Sequence, residues 1–187
     1  MKTTLRATMS LVFVLIVSLA SQAFAAIEFT LPGSDGKSHS LAEYKDAKAV
    51  VVLFISTRCP VSNGFNERMV ELAEMYQQKG VVFLGIYSNK MENLKEIKKH
   101  AADKGFPFVV LKDDKNVVAD AYKAKVTPEA FMHDNASKVL YHGRIDDSPK
   151  ASERKNEDLK SAIDDLLAGG GVSNPETKAF GCTIKRD

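Results

Sequence analysis

The sequence predicts an α/β domain built on a central mixed β-sheet flanked by helices, and three observations carry that reading. Residues 49–55, Ala49-Val50-Val51-Val52-Leu53-Phe54-Ile55, and residues 81–87, Val81-Val82-Phe83-Leu84-Gly85-Ile86-Tyr87, are apolar runs of strand length, the pattern of strands covered on both faces. Between them Phe65, Met69, Leu72, Ala73 and Tyr76 recur at spacings of three and four, the period of a helix that buries one face. Strand, helix and strand within about 40 residues make a right-handed βαβ unit with parallel strands. Further on, residues 130–134 and 139–145 flank Asn135-Ala136-Ser137-Lys138, which reads as an antiparallel hairpin.

The chain opens on a segment expected to lie outside the fold. Lys2 and Arg6 precede the apolar run of residues 11–20, and Ala23-Phe24-Ala25 supplies a small-x-small site, the pattern of a signal peptide cut after Ala25. The apolar run is shorter than the roughly 20 residues of a spanning helix, so stable membrane insertion is not expected. Residues 1–25 carry two basic and no acidic side chains, so their removal takes the formal charge from +2 to zero. A neutral mature domain gives no ground for a nucleic-acid or anionic-membrane partner. Periplasmic or secreted localisation follows, where disulfides persist, and we expect a monomer. The remaining length suffices for one domain without disulfide staples.

The other elements follow in order. Residues 27–31 and 38–41 flank the turn signal Pro32-Gly33-Ser34-Asp35-Gly36-Lys37 and predict an N-terminal hairpin beside the sheet, with His39 at the surface. Gly64 lies early in the first long helix and conflicts with it; Gly80 ends it. Residues 91–104 predict a charged helix stopped by Gly105, with His100 serving the dipole at its end. Residues 107–111 are extended, and Asn116 is expected to cap a helix carrying Val117, Val118, Ala121 and Tyr122. A final helix carries Leu159, Ala162, Ile163, Leu166 and Leu167 and breaks at Gly169-Gly170-Gly171. Residues 26–168 thus form the domain, and residues 169–187 a flexible tail without periodicity. Asp113-Asp114 and Asp146-Asp147 lack the spaced oxygens of a calcium loop.

The chemistry converges on Ser56-Thr57-Arg58-Cys59-Pro60-Val61-Ser62-Asn63. Pro60 suits the first helical position, which puts Cys59 at the N-cap. First-turn amides, the positive end of the helix dipole and the neighbouring Arg58 would all favour the thiolate, which is the nucleophile. The alternative is a small buried hydrophobe or half of a structural disulfide.

The motif at residues 56–63, the segment Val126-Thr127-Pro128-Glu129, the run Tyr141-His142-Gly143-Arg144-Ile145-Asp146-Asp147 and the closing residues 177–185 together resemble the thioredoxin-like superfamily. More narrowly, they resemble its exported redoxin branch, the alkyl hydroperoxide reductase and thiol-specific antioxidant type. The resemblance covers residues 27–168. It implies a thioredoxin-like fold, no cofactor, and a cis Thr127-Pro128 bond lying against Cys59, where the Thr127 backbone pairs with an extended substrate beside Pro60 and Ser62. Thioredoxins carry Trp-Cys-x-x-Cys, but here Ser62 holds the second cysteine position and tryptophan is absent. Peroxiredoxins carry a proline seven residues ahead of the cysteine, where this chain has Val52. Ser56 keeps the hydroxyl position, so Ser56, Cys59 and Arg144 could still form a hydroxyl, thiolate and guanidinium site.

Cys182 is the other cysteine of the chain. Placed beyond three glycines, it could fold back as the partner that resolves Cys59. A permanent bridge would also stabilise the fold, by on the order of 5 kcal/mol, so the potential of the pair is what separates a structural bridge from a catalytic one. The function expected is an exported thiol oxidoreductase acting on thiol or disulfide protein clients and renewed by an external thiol reductant. The alternatives are a thiol peroxidase acting on hydroperoxides, and a non-catalytic module binding a protein, or binding copper or zinc through Cys59, Cys182 and His133 or His142.

Overall fold

The computed structural model describes residues 27–186; the expected signal peptide lies outside them. Strands β1 (Thr30–Pro32) and β2 (Ser38–Ser40) form the antiparallel N-terminal hairpin, with Leu31 opposite His39. A bridge from Gly33 to Leu111 ties it to the main sheet. His39 is enclosed, contrary to the surface position expected: Nδ1 meets the Tyr44 hydroxyl at 3.0 Å and Nε2 meets Asp35. The turn that looked merely polar folds its own acid over the ring.

The main sheet has the order β5 (Val109–Lys112), β4 (Val81–Tyr87), β3 (Ala49–Phe54), β7 (Glu129–His133), β8 (Val139–Gly143). Its centre is β3 (Ala49–Phe54), which is buried at every residue. Val51 and Leu53 face one core and Val50, Val52 and Phe54 the other, which is why the run shows no alternation. After β3 come α1 (Pro60–Asn63), α2 (Asn66–Gln77) and β4 (Val81–Tyr87), with β4 parallel to β3. The single long helix expected here is broken. Gly64 and Phe65 separate its two parts, and a Cβ at Gly64 would lie 3.1 Å from the Pro149 carbonyl oxygen. The helical conflict at Gly64 therefore reflects close packing of the 146–149 loop.

Helix α3 (Leu94–Lys104) starts three residues later than expected, because Asn93 and Glu96 form a reciprocal capping box, and Gly105 ends it in the left-handed conformation. Strand β5 (Val109–Lys112) is parallel to β4 and leads to α4 (Val117–Ala121). Asn116 precedes α4 but does not cap it with its side chain. The buried Asp113 carboxylate accepts the amides of Val118 and Ala119 instead. Strand β6 (Val126–Thr127) leads through a cis Thr127-Pro128 bond, as the resemblance implied, into β7 (Glu129–His133). Strand β7 runs antiparallel to β3 and pairs with β8 (Val139–Gly143), giving the expected hairpin.

Helix α5 (Asp158–Leu167) places Leu159, Ala162 and Ile163 in the core shared with α2 and α3. The last segment lacks a hydrophobic period yet is seated by its backbone: β9 (Cys182–Thr183) pairs antiparallel with β6, Thr127 opposite Cys182. No helix among the described residues is long and apolar enough to cross a membrane.

Candidate functional site

Cys59 sits where the central strand turns into α1. It is the N-cap, at φ −84° and ψ 115°, with Pro60 following at the first helical position, and its sulfur accepts the Ser62 amide at 3.3 Å. The protonated thiol donates to the Thr127 carbonyl at 3.1 Å, which places the cis-proline segment against it. Cys59 is only 3% exposed.

The C-terminal strand brings Cys182 onto the same spot. Both thiols are free and in hydrogen-bond contact. Burial raises the Cys59 pKa, but the Cys182 thiol, the Ser62 amide, the Thr127 side chain and the Cys182 amide outweigh it, and the net shift is downward. Cys182 moves the opposite way, raised first by its hydrogen bond to Cys59 and then by burial and the Cys59 charge, against a lowering by the Val61 amide. The first two free amides of α1 are thus divided between the two sulfurs. These contacts favour the thiolate at Cys59 over the thiolate at Cys182.

Three side chains expected to assist the thiolate point elsewhere. Arg58 is exposed and pairs with Glu96 at 2.8 Å, completing the α3 cap region rather than reaching sulfur. Arg144 is held by Asp158, Nε to Oδ2 at 2.7 Å. Ser56 directs its hydroxyl to Glu92 Oε1 at 2.7 Å and accepts the Cys59 and Arg58 amides, so it shapes the turn. Ser62, standing where a second cysteine is expected in thioredoxins, is fully buried and accepts the Ser56 amide through its hydroxyl. Pro60 is exposed beside the thiol and Pro128 is buried behind it.

The histidines offer no third ligand for the two sulfurs. His133 is buried between the Tyr122 hydroxyl, at 2.9 Å, and the Ser137 carbonyl, and it pairs with Val50 at the end of β3 remote from Cys59. His142 binds Glu129 at 2.6 Å and stacks on Phe131. Among the described residues no group of three His, Cys, Asp or Glu could hold a metal.

Several contributors were not expected. Glu92 lies buried beneath the cysteine turn and accepts the Thr57 amide at 2.7 Å. His100, assigned above to a helix dipole, reaches the site instead: Asn63 Nδ2 donates to the Thr57 carbonyl, and Asn63 Oδ1 accepts from His100 Nε2 at 2.8 Å. That leaves His100 Nδ1 to accept the Tyr87 hydroxyl. Burial holds the His100 pKa below its ordinary value, which suits a neutral brace. An acid in a polar turn and a histidine on a charged helix carry no sequence signal for these roles.

The tail that carries Cys182 meets the domain at several points among the described residues. Thr177 Oγ1 accepts the Arg144 amide and meets the Tyr141 hydroxyl at 2.7 Å, and Phe180 packs on Phe65. The Tyr141–Arg144 run and the closing segment, separate motifs in sequence, are therefore two sides of one contact. Gly181, at φ +155°, passes so close to Thr127 that a Cβ would overlap its carbonyl. Gly181→Ala should thus displace the strand, and a cost of about 1–3 kcal/mol for a non-glycine residue in that conformation corresponds to on the order of tenfold more local opening. Faster alkylation of Cys59 by iodoacetamide would report it; an unchanged rate would show that the tail does not cover the thiol.

Fold and site together define a redoxin of the thioredoxin-like superfamily. The model of the AhpC/TSA family matches residues 24–142, and the chain belongs to that family. It is 31% identical over 114 residues to the thiol-disulfide oxidoreductase ResA of Geobacillus thermodenitrificans, a match covering 61% of this chain and 64% of the relative, so just under two thirds of that protein is represented. A hypothetical protein from Sinorhizobium meliloti 1021 has a crystal structure that is 34% identical, with a TM-score of 0.80 over 87% of this chain and 92% of that one. A thioredoxin-family thiol:disulfide interchange protein from Chlorobium tepidum is 25% identical with a TM-score of 0.55, over 62% of this chain and 81% of that one.

Proposed function

We propose that the protein is an exported thiol–disulfide oxidoreductase in which Cys59 attacks and Cys182 resolves. The observation that carries this is geometric: β9 pairs Cys182 opposite Thr127, whose carbonyl the Cys59 thiol meets at 3.1 Å, so the two free thiols share one spot at the start of α1. Cys59 thiolate attacks one sulfur of a client disulfide, forming a Cys59–client bond and releasing the other client sulfur as a thiolate that takes a proton from water. Cys182 then gives up its proton and attacks the Cys59 sulfur. The Cys59–Cys182 disulfide forms, the second client thiol leaves, and the client has gained two electrons. An external dithiol reductant reverses the change in the protein. The ResA name and the family match support this class of chemistry.

Peroxide reduction is the less favoured reading, because Ser56, Arg58 and Arg144 are each bonded elsewhere and none presents a donor at the Cys59 sulfur. A side-by-side assay separates the two. Reduced protein should reduce insulin disulfides at a rate abolished by Cys59→Ser. Rapid hydrogen peroxide consumption with inactivity toward insulin would instead make it a peroxidase, and a Cys59→Ser protein matching wild type in both assays would remove catalysis from this site.

A further inference from the structure

Glu92 is a buried acid, 1% exposed, whose hydrogen-bond partners are all uncharged donors. Oε1 gathers the cysteine turn: the Ser56 hydroxyl at 2.7 Å, the Thr57 amide at 2.7 Å, the Thr57 hydroxyl at 2.8 Å and the Arg58 amide at 3.3 Å. Ser56 in turn accepts the Cys59 amide, so the turn is tied to the acid up to the nucleophile itself. Oε2 faces the other way and accepts Asn89 Nδ2 at 3.1 Å. With Nδ2 so engaged, Asn89 presents Oδ1 to the tail, where it accepts the Lys185 amide at 2.7 Å. A second bond, from the Lys90 amide to the Lys185 carbonyl, closes the same clasp three residues beyond Cys182.

We propose that Glu92 is a positioning residue that sets Cys182 against Cys59, one oxygen holding the nucleophile's turn and the other fixing the Asn89 amide that receives the tail. This rests on the reading of the two cysteines as an exchange pair. Its distinctive content is directional. An acid at 92 compels Asn89 to donate toward it and hence to accept from Lys185. A glutamine at 92 can keep its carbonyl on the four turn donors, but its amino group then confronts Asn89 Nδ2, donor against donor. Turning Asn89 over relieves that clash only by aiming Nδ2 at the Lys185 amide. Either way one link of the relay from residue 92 through Asn89 to Lys185 is lost while the turn is retained.

The test is the equilibrium constant of the Cys59–Cys182 disulfide, measured on the full mature chain in glutathione buffers by alkylation and mass. Glu92→Gln should lower it about tenfold, the equilibrium worth of one hydrogen bond, and Cys59 should titrate higher as Cys182 withdraws. Asn89→Asp alone, which sets acid against acid, should lower it as well. The pair Glu92→Gln with Asn89→Asp restores the pattern, since aspartate accepts from Gln at 92 with one oxygen and from Lys185 with the other, and should recover the wild-type constant. A wild-type protein that forms no Cys59–Cys182 disulfide at any glutathione ratio would overturn the exchange-pair reading itself. A wild-type disulfide with an unchanged Glu92→Gln constant, or a loss that the double variant fails to rescue, would overturn the role of Glu92.

Discussion

Cys182→Ala is expected to stop turnover after the first half of the reaction, leaving Cys59 trapped in a mixed disulfide with its client. Cys182, in the resolving role proposed for it, is held by strand pairing opposite Thr127, so its effective concentration at Cys59 exceeds that of any micromolar thiol in solution. Steady-state insulin reduction should fall at least about a hundredfold, because an external thiol must now perform the second attack. The alanine also removes the foremost contact that lowers the Cys59 pKa, the hydrogen bond from the Cys182 thiol, while the Ser62 amide stays. The sign follows directly. In the native protein the alkylation rate of Cys59 should rise through an inflection below the ordinary thiol range, and in Cys182→Ala that inflection should move upward. Non-reducing gels would show the trapped adduct, and pH-dependent alkylation would show the shift. A variant that turns over like wild type would take the resolving role away from Cys182.

The parts legible in the sequence are those where one residue type decides the outcome locally. Strands β3 and β4 are read from unbroken apolar runs because both faces of each are covered. The N-cap position of Cys59 is read from Pro60 alone, since proline favours the first helical position. What could not be read depends on partners distant in the chain. Strand β9 has no hydrophobic pattern because backbone groups seat it on β6, and backbone groups are the same in every residue. Arg144 was expected at the thiol from the resemblance, as the guanidinium of a hydroxyl, thiolate and guanidinium site, but Asp158 at the start of α5 holds it instead. Glu92 resembles any acid in a solvated turn until the fold lays the Ser56 hydroxyl and the Thr57 and Arg58 amides upon it. In each case charge or polarity is visible in the sequence, but the partner that fixes its direction is not.

Arg68 shows the same limit and supplies the largest expected effect on stability. It lies on the inner face of α2, three residues beyond Phe65, and is buried, with its guanidinium over the Phe65 ring at 4.2 Å. It pairs with the buried Asp146 and also donates to the carbonyls of Ser148, Pro149 and Gly64. Asp146 thus anchors the 146–149 loop, and Arg68 clamps that loop to the break between α1 and α2 that follows the cysteine turn. Arg68→Met should destabilise the protein by about 3–5 kcal/mol, because Asp146 is left buried without its cation. For a domain of this size that is a fall in Tm of roughly 10 °C. Adding Asp146→Leu removes the orphaned charge and should recover part of the loss, but not all, since the Gly64, Ser148 and Pro149 carbonyls remain without their donor. Thermal unfolding of the two variants measures both quantities. A double variant no more stable than Arg68→Met would mean that the loop carbonyls, rather than the ion pair, dominate the clamp.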